Sequence, residues 1–205
     1  MRITADKLGK RFNREWIFRN LDFTFEPGKT YAITGANGSG KSTLLQILWG
    51  QLPQSTGEIK YEWDNKEVPL TEIYNHLSIA TPYMDLIDEF SLSEMVKFHF
   101  KFKKVRDNRS VEELIERMEL THARDKLISN FSSGMKQRLK LALAFFSDTP
   151  LIFLDEPSTN LDKKSTQWYL EHLLGLPKEC LVLIASNQEH EYPANSIKLD
   201  ITRFK

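Results

Sequence analysis

Hydrophobic and polar residues alternate over the first part of the chain. In LDFTFEPG, Leu21, Phe23 and Phe25 alternate with polar residues before a Pro-Gly turn, and RITADKL alternates as well. A period of two is typical of β-strands with one buried face. KTYAIT, PLIFLDEP and CLVLIAS are continuous apolar runs, which indicate strands buried on both faces. GEIKYEWDNKEVPL predicts a hairpin that turns near DNK.

From about residue 85 the spacing becomes that of helices. SVEELIERMEL has a helical apolar stripe, and its Ser110 and Glu113 have the spacing of a capping box. FSSGMKQRLKLALAFF predicts another helix, deeply buried in its apolar second half. SLSEMVKFHFKF predicts one amphipathic helix whose stripe is formed by Met95, Phe98, His99 and Phe102.

Buried strands that alternate with helices predict an α/β fold with a mostly parallel central sheet flanked by helices. The alternating strands near the start add an antiparallel β subdomain. We expect a single domain over residues 1–205, in which 1–84 and 150–205 form the core with the β subdomain. The helical block 85–149 is predicted to be an inserted α-helical subdomain.

The composition is that of an ordinary globular domain. The chain has 205 residues, of which 40% are hydrophobic and 27% charged. Its 28 basic and 28 acidic residues cancel, which gives no support to non-specific binding of nucleic acid or of an anionic membrane. A single cysteine, Cys180, excludes an internal disulfide and suits a reducing compartment. Since no window of about 18 residues is continuously apolar and no signal peptide is visible, we expect a cytoplasmic protein.

The stretch GANGSGKST, between the strand TYAIT and the helical run LLQILWG, has the pattern G-x-x-x-x-G-K-[ST]. Glycines let backbone N–H groups approach an anion, and the helix that follows adds its own N-terminal N–H groups. Lys41 then reaches the β- and γ-phosphates, and Ser42 offers a hydroxyl to Mg²⁺. The alternative is a glycine-rich turn with a surface lysine. The predicted triphosphate-binding residues are Gly35, Ala36, Asn37, Gly38, Ser39, Gly40, Lys41, Ser42 and Thr43.

Two carboxylates end the buried strand LIFLDEP. In open α/β sheets, ligands bind at the carboxyl ends of the strands. Asp155 is therefore predicted to hold Mg²⁺ together with Ser42, and Glu156 to polarise an attacking water. The alternative is a strand end that exposes two acids to solvent.

FSSGMKQRLKLALAF followed by PLIFLDEPSTNLD resembles the nucleotide-binding domain of ATP-binding cassette (ABC) proteins, and the resemblance covers nearly the whole chain. For SSGMKQR alone, an ordinary serine-capped helix is the alternative. The slots of the family's signature, L-S-G-G-Q, hold Phe131, Ser132, Ser133, Gly134 and Met135. The slots of its D-loop hold Thr159, Asn160, Leu161 and Asp162.

The resemblance implies a P-loop NTPase fold with ATP and Mg²⁺ as cofactors. It also implies a head-to-tail dimer, either a homodimer or a heterodimer with a second ATPase subunit, with ATP clamped in the interface. In such a dimer the signature residues Ser132, Ser133 and Gly134 face the γ-phosphate held by the other subunit. Phe12, in KRFN, fits the family's adenine-stacking aromatic; a core phenylalanine is the alternative, and Trp16 is a weaker candidate.

Two residues of the family pattern are absent. Tyr83, in LSIATPYMD, occupies the slot of the Q-loop glutamine, and Asn187, in IASNQ, that of the switch histidine. Asparagine can donate a hydrogen bond to the γ-phosphate but cannot carry a positive charge. His190 is an alternative donor. With Lys41, Glu156 and Asn187 as the catalytic set, the resemblance implies slow hydrolysis.

The leading hypothesis is the ATPase subunit of a membrane transporter, with separate transmembrane permease subunits that hold the chain at the inner face of the membrane. The residues that would dock the permease are Tyr83, Met84, Leu86, Ile87 and Phe90, with plain core packing as the alternative. A soluble ABC ATPase of DNA repair or translation is a second hypothesis, although the zero net charge suggests no nucleic-acid partner. A nucleotide-gated clamp that barely hydrolyses ATP is a third.

Overall fold

The computed structural model describes residues 1–205, which divide into two compact units. The first comprises Met1–Leu77, Pro150–Glu156 and Pro177–Lys205, and the second comprises Ser78–Thr149 and Pro157–Leu176. The helical block 85–149 thus lies in the second unit, which also takes in residues 157–176. None of the helices has the length and apolar character needed to cross a membrane.

An antiparallel sheet forms the β-rich part of the first unit. Its strands, in the order β2-β1-β4-β5, are β1 (Arg2–Phe12), β2 (Glu15–Phe25), β4 (Thr56–Trp63) and β5 (Lys66–Glu67). The hairpin predicted near DNK is β4–β5, with Asp64 and Asn65 at φ 51° and 59°. Two left-handed residues match the right-handed twist of the flanking strands, which is why Asp and Asn are favoured there.

The second sheet has five strands in the order β6-β7-β8-β3-β9. Its strands are β3 (Thr30–Thr34), β6 (Leu77–Ala80), β7 (Leu151–Asp155), β8 (Leu181–Ala185) and β9 (Ile197–Asp200). The β7–β8, β8–β3 and β3–β9 pairs are all parallel, and every residue of β7 and β8 is buried. Helix α1 (Lys41–Leu48) follows β3 after the glycine loop and contacts β7 and β8. The predicted α/β class with a parallel and an antiparallel sheet is confirmed.

Four helices build the second unit: α2 (Leu92–His99), α3 (Val111–Arg117), α4 (Ser133–Phe146) and α5 (Lys163–Leu174). The predicted capping box of α3 is present, because the Glu113 N–H donates to Ser110 Oγ at 3.2 Å and the Ser110 N–H donates to Glu113 Oε2 at 2.7 Å. The second half of α4 is buried as predicted, and Phe145 stacks on Tyr169 of α5 with ring centres 6.0 Å apart. This contact forms part of the core of the second unit.

The predicted stripe of α2 is wrong at its far end. The helix ends at His99, and beyond it Phe102 N–H bonds to the His99 carbonyl, three residues back rather than four. This tighter turn ends the α-helical ladder. Phe102 is 74% exposed, with its ring packed edge-on to Phe98 at 5.3 Å. The stripe therefore buries Met95 but leaves its last member at the surface.

Candidate nucleotide-binding site

The glycine loop lies between β3 and α1, at the carboxyl end of a buried parallel strand. Gly40 is the N-terminal cap of α1 with φ 105°, in the left-handed region. A Cβ on Gly40 would lie 2.4 Å from Ile17 Cγ2, so both the backbone angle and the space require glycine. No side chain caps α1 and no acid lies in its first turn. The N–H groups of this helix end remain available to an anion.

Lys41 is the first residue of α1 and is only 5% exposed. Its ammonium bends back over the loop and donates to the carbonyls of Gly35, at 2.9 Å, and Ala36, at 3.2 Å. Burial lowers the pKa of Lys41, whereas the charges of Glu156 and Asp155 raise it. A positive charge held inside the loop, with only carbonyl oxygens as partners, can turn to phosphate oxygens at little cost.

Asp155 ends β7 and is 2% exposed. One of its oxygens, Oδ1, is buried and has no hydrogen-bond partner. Burial raises the pKa of Asp155 to about 6, although the hydrogen bond from the Ser42 hydroxyl acts in the opposite direction and lowers it. Two hard oxygen donors, one of them orphaned, fit Mg²⁺, which takes one or two protein oxygens and completes its shell with phosphate and water. Ser42 and Asp155 are the residues that would hold the ion.

Glu156 follows directly and has φ 43°, a left-handed conformation that is uncommon for a residue with a side chain. Its N–H donates to the Ala185 carbonyl at the end of β8, at 2.9 Å, which holds the backbone in this conformation. The side chain is exposed. The turn thus sends the two neighbouring carboxylates into different surroundings, one buried and one in reach of solvent.

Asn187 lies two residues beyond β8 and reaches the glycine loop. Its Nδ2 donates to Oδ1 of Asn37 at 2.6 Å, a contact between residues 150 positions apart. The alternative donor, His190, lies on the exposed side of the short 3₁₀ turn Glu189–Glu191. Tyr83, which fills the Q-loop slot, belongs to the second unit and is 77% exposed.

Phe12 lies at the end of β1 and is 46% exposed. It shares a face of the strand with Lys10, whose ammonium lies 4.9 Å from the centre of the Phe12 ring. Lys10 pairs with Phe18 across the hairpin, and the Phe18 ring lies 3.8 Å from where a Cβ on Gly40 would be. Phe12 therefore lies on the face of the hairpin that covers the glycine loop.

Trp16, the weaker aromatic candidate, lies on the opposite face of the same hairpin. It pairs with Arg11, whose guanidinium lies 5.7 Å from the Trp16 ring centre. Because of the register shift between Lys10 and Arg11, Trp16 lies on the face opposite Phe18 although the two residues are only two positions apart. Trp16 instead lines a separate cavity of about 590 Å³ with charged residues of β1, β2 and β4.

The signature residues belong to the second unit. Ser132 caps α4, where its Oγ accepts from the Met135 N–H at 3.2 Å, and Ser133 and Gly134 form the first turn. A Cβ on Gly134 would lie 2.9 Å from the Asn160 carbonyl, so the D-loop segment packs against this helix end. Signature and D-loop residues line one cavity of about 380 Å³ within the second unit.

One charged residue near the site was missed by the sequence analysis. Glu191 is 2% exposed and accepts a short hydrogen bond from the hydroxyl of Ser186, the residue before Asn187. It is also among the charges that raise the pKa of Asp155. Because it lies in the polar segment NQEHEYP, no apolar pattern indicated that this carboxylate is buried.

The sequence model of the ABC transporter family matches residues 18–159, which include the glycine loop and both carboxylates. YybJ of Bacillus subtilis (strain 168), an uncharacterized ABC transporter ATP-binding protein, is 30% identical over 186 residues, covering 90% of this chain and 84% of YybJ. The ribose import ATP-binding protein RbsA of Lactococcus lactis is 28% identical over 90% of this chain, which spans 39% of RbsA.

Solved structures of low sequence identity share the fold. A structure assigned as an ABC transporter ATP-binding protein from Pyrococcus furiosus has a TM-score of 0.83 at 21% identity, covering 100% of this chain and 99% of that chain. A dimeric bacterial ABC transporter cassette has a TM-score of 0.75 at 22% identity, covering 91% and 88%. The chain therefore belongs to the ABC transporter family, as one of its ATP-binding ATPase cassettes.

Proposed function

We propose that the chain is the ATPase subunit of a membrane transporter and that it hydrolyses ATP slowly for a member of its family. The observation that carries the proposal lies within the first unit. The glycine loop there leads into a helix end that no side chain caps, and it holds the buried ammonium of Lys41. The same unit contains Asp155, a buried carboxylate with one oxygen that has no hydrogen-bond partner. Anion-binding N–H groups, one cation and one metal-type oxygen are the parts that Mg²⁺-bound triphosphate requires.

In the proposed reaction the loop N–H groups and Lys41 bind the phosphates, and Ser42 and Asp155 hold Mg²⁺, which neutralises phosphate charge when bound. Glu156, exposed beside the buried Asp155, accepts a proton from the attacking water. Asn187 donates its amide to the γ-phosphate, for which it leaves Asn37. Phe12 stacks on the adenine, since its half-exposed ring lies on the face toward the loop.

We propose that ATP joins two copies of the chain, or this chain and a second ATPase subunit, head to tail. Ser132, Ser133 and Gly134 of one copy then meet the γ-phosphate in the other. The N-terminus of α4 is suited to this because Ser132 caps it, no acid lies in its first turn, and a helix start favours anions. The similar cassette of dimeric structure supports the arrangement.

Slow hydrolysis is inferred from two substitutions. Asn187 can donate a hydrogen bond but cannot add the positive charge of an imidazolium, and Tyr83 cannot serve as the amide donor and acceptor of a Q-loop. Stabilisation of charge in the transition state is the largest single contribution to this chemistry, so losing a charged donor slows it. Lys41 and Glu156 remain, which leaves a slow reaction.

A permease of separate transmembrane subunits is the proposed partner, and it would hold the chain at the inner face of the membrane. Of the docking residues proposed from the sequence, Met84, Leu86 and Ile87 line part of a surface cavity of about 430 Å³. Tyr83 is largely exposed, and Met84, Leu86 and Ile87 are half-buried. YybJ and RbsA, both named as ATP-binding proteins and the latter for ribose import, support a role in transport.

The test uses Glu156→Gln, which keeps the size of the side chain but cannot accept the proton. In size-exclusion chromatography with Mg·ATP, we expect this variant to elute at the mass of a dimer and the wild-type chain to return to monomer as ATP is consumed. The control is Glu189→Gln, a carboxylate that is 81% exposed in the same unit. A Glu156→Gln chain that binds ATP but stays monomeric would contradict the proposal.

A nucleotide-gated clamp with little hydrolysis is the second candidate function. The Asn187–Asn37 bond favours it, because the switch position holds an uncharged amide already engaged with the loop. Steady-state phosphate release by the chain together with its permease separates the two. Turnover stimulated by the permease supports the transporter subunit, and ATP-dependent dimers without turnover support the clamp. Filter binding to DNA or ribosomes at physiological salt tests the remaining alternative, a soluble ABC ATPase.

A further inference from the structure

The short segment after β8 contains a buried hydrogen-bonded cluster that the ATPase chemistry does not use. At its centre is Ser186, which is fully buried. Its hydroxyl accepts from the Gln188 N–H at 2.8 Å and donates to Glu191 Oε2. Glu191 N–H in turn donates to the Gln188 carbonyl at 3.0 Å, which closes the turn.

The same cluster is tied to the glycine loop at two points. Ser186 N–H donates to the Ile33 carbonyl in β3, two residues before the loop begins, at 3.1 Å. Asn187, the next residue, donates its side-chain amide to Asn37 within the loop at 2.6 Å. The backbone on both sides of Asn187 is therefore held by bonds of Ser186, while its side chain points to the phosphate-binding residues.

A carboxylate at this place needs an explanation. Glu191 is 2% exposed, and burying a carboxylate costs free energy unless hydrogen bonds compensate for it. An apolar residue would close the turn after β8 without that cost, but the Ser186 hydroxyl would then have only the Gln188 carbonyl, at 3.4 Å, as an acceptor. A buried carboxylate bonded to Ser186, the residue directly before the side chain that reaches the loop, is suited to fixing the orientation of that side chain.

We infer that Glu191 is a positioning residue of the ATPase site: it holds Ser186 and thereby aims the Asn187 amide at the phosphate-binding loop. The role of Asn187 toward the γ-phosphate rests on the proposed function. The part of Glu191 in orienting the Asn187 side chain does not depend on that function. Glu191 does not touch the nucleotide in this account. It acts only through Asn187, and this makes its effect conditional on that residue.

The first experiment needs no turnover. In the nucleotide-free chain labelled with ¹⁵N, the Asn187 side-chain amide gives a pair of NMR signals displaced by its bond to Asn37. Glu191→Ala is expected to return these signals to the positions of a free amide. Glu191→Gln keeps an acceptor oxygen for Ser186 and should largely preserve them. Glu189→Ala removes an exposed carboxylate of the same turn and should leave them unchanged. Unaltered signals in Glu191→Ala would overturn the inference.

The second experiment is a double-mutant cycle on kcat and KM for Mg·ATP. Glu191→Ala is expected to lower kcat about tenfold with KM changed less than about twofold, because the lost contribution is made in the transition state. In an Asn187→Ala background the same change should have almost no further effect. An equal loss of kcat in both backgrounds would show a general structural role and overturn the inference. If Glu191→Ala does not fold, Ser186→Ala enters the same cycle, with the same two outcomes.

The two experiments keep the inference separate from the proposed function. A wild-type chain that binds no Mg·ATP contradicts the proposed function, while the amide signals still decide whether Glu191 orients Asn187. A wild-type chain with measurable turnover whose Glu191→Ala variant keeps full kcat contradicts the inference alone.

Discussion

Replacing Lys41 with methionine should remove ATP binding without unfolding the protein. The methionine keeps most of the aliphatic stem and loses the ammonium that now donates to the carbonyls of Gly35 and Ala36. Binding of Mg·ATP loses a charged donor to phosphate oxygens, worth about 3 kcal/mol, which corresponds to an affinity about 150-fold weaker. We expect a change of that size in calorimetric titrations.

The stability of the variant should change little, because two effects oppose each other. Each lost hydrogen bond to a carbonyl costs about 1 kcal/mol, and the loop carbonyls lie where water can replace the ammonium. Against this, burial lowers the pKa of Lys41, which means that the charge is unfavourable where it lies. The free energy of unfolding should therefore stay within about 1 kcal/mol of the wild-type value.

The second unit provides a matched control. Lys140 also donates to two carbonyls, those of Thr81 at 3.3 Å and Pro82 at 2.9 Å, and burial likewise lowers its pKa. Lys140→Met should show a similar small change in urea unfolding but no change in ATP affinity. The account of Lys41 is wrong if Lys41→Met binds ATP within about threefold of the wild type. It is also wrong if Lys140→Met weakens binding equally.

Three further predictions follow from named contacts. Burial lowers the pKa of His99 to about 4, so between pH 4 and 6.5 the unfolded chain binds more protons than the folded chain. Urea unfolding should therefore show that the free energy of unfolding falls by about 2 kcal/mol from pH 7 to 4.5, and His99→Gln should lack this loss. Gly40→Ala places a Cβ at a left-handed φ and against Ile17, so it should weaken ATP binding and cost about 1–3 kcal/mol of stability. Gly38→Ala is the control: its Cβ meets no atom within 4 Å, and it should cost only about 1 kcal/mol. Equal effects of the two substitutions would contradict the steric account. Asn187→His should raise kcat about tenfold, because a chargeable donor at that position makes a stronger bond to phosphate; unchanged turnover would show that the missing imidazole is not limiting.

The residue order of the chain was sufficient for the fold class and for the chemistry of the loop. Continuous apolar runs at PLIFLDEP and CLVLIAS identified β7 and β8, because strands buried on both faces carry no polar positions. The capping box at Ser110 and Glu113 was predicted because its two hydrogen bonds join residues only three positions apart. Strands β6 and β9 were not predicted as elements; each has only four residues, and β9 buries only Leu199.

The aromatic candidates needed the structure. Phe12 and Trp16 are close in sequence, yet Phe12 pairs with Glu15 while Trp16 pairs with Arg11, so the two rings point to opposite faces of one hairpin. Which residues lie opposite each other depends on how the two strands pair, and a slip of one residue moves every side chain to the other face. Likewise, the end of α2 at His99 follows from the tightened turn beyond it, which the helical spacing of Phe102 did not indicate.

By itself, the sequence determined the α/β class, the family and the residue types of the phosphate loop, because each depends on spacing within a short segment. Only the tertiary structure decided that Asn187 meets Asn37, that Asp155 keeps a buried oxygen without a partner, and that Glu191 is buried. These facts depend on contacts between segments far apart in the chain. Burial and desolvation, which set the energy of a charged group, arise only when those segments pack together.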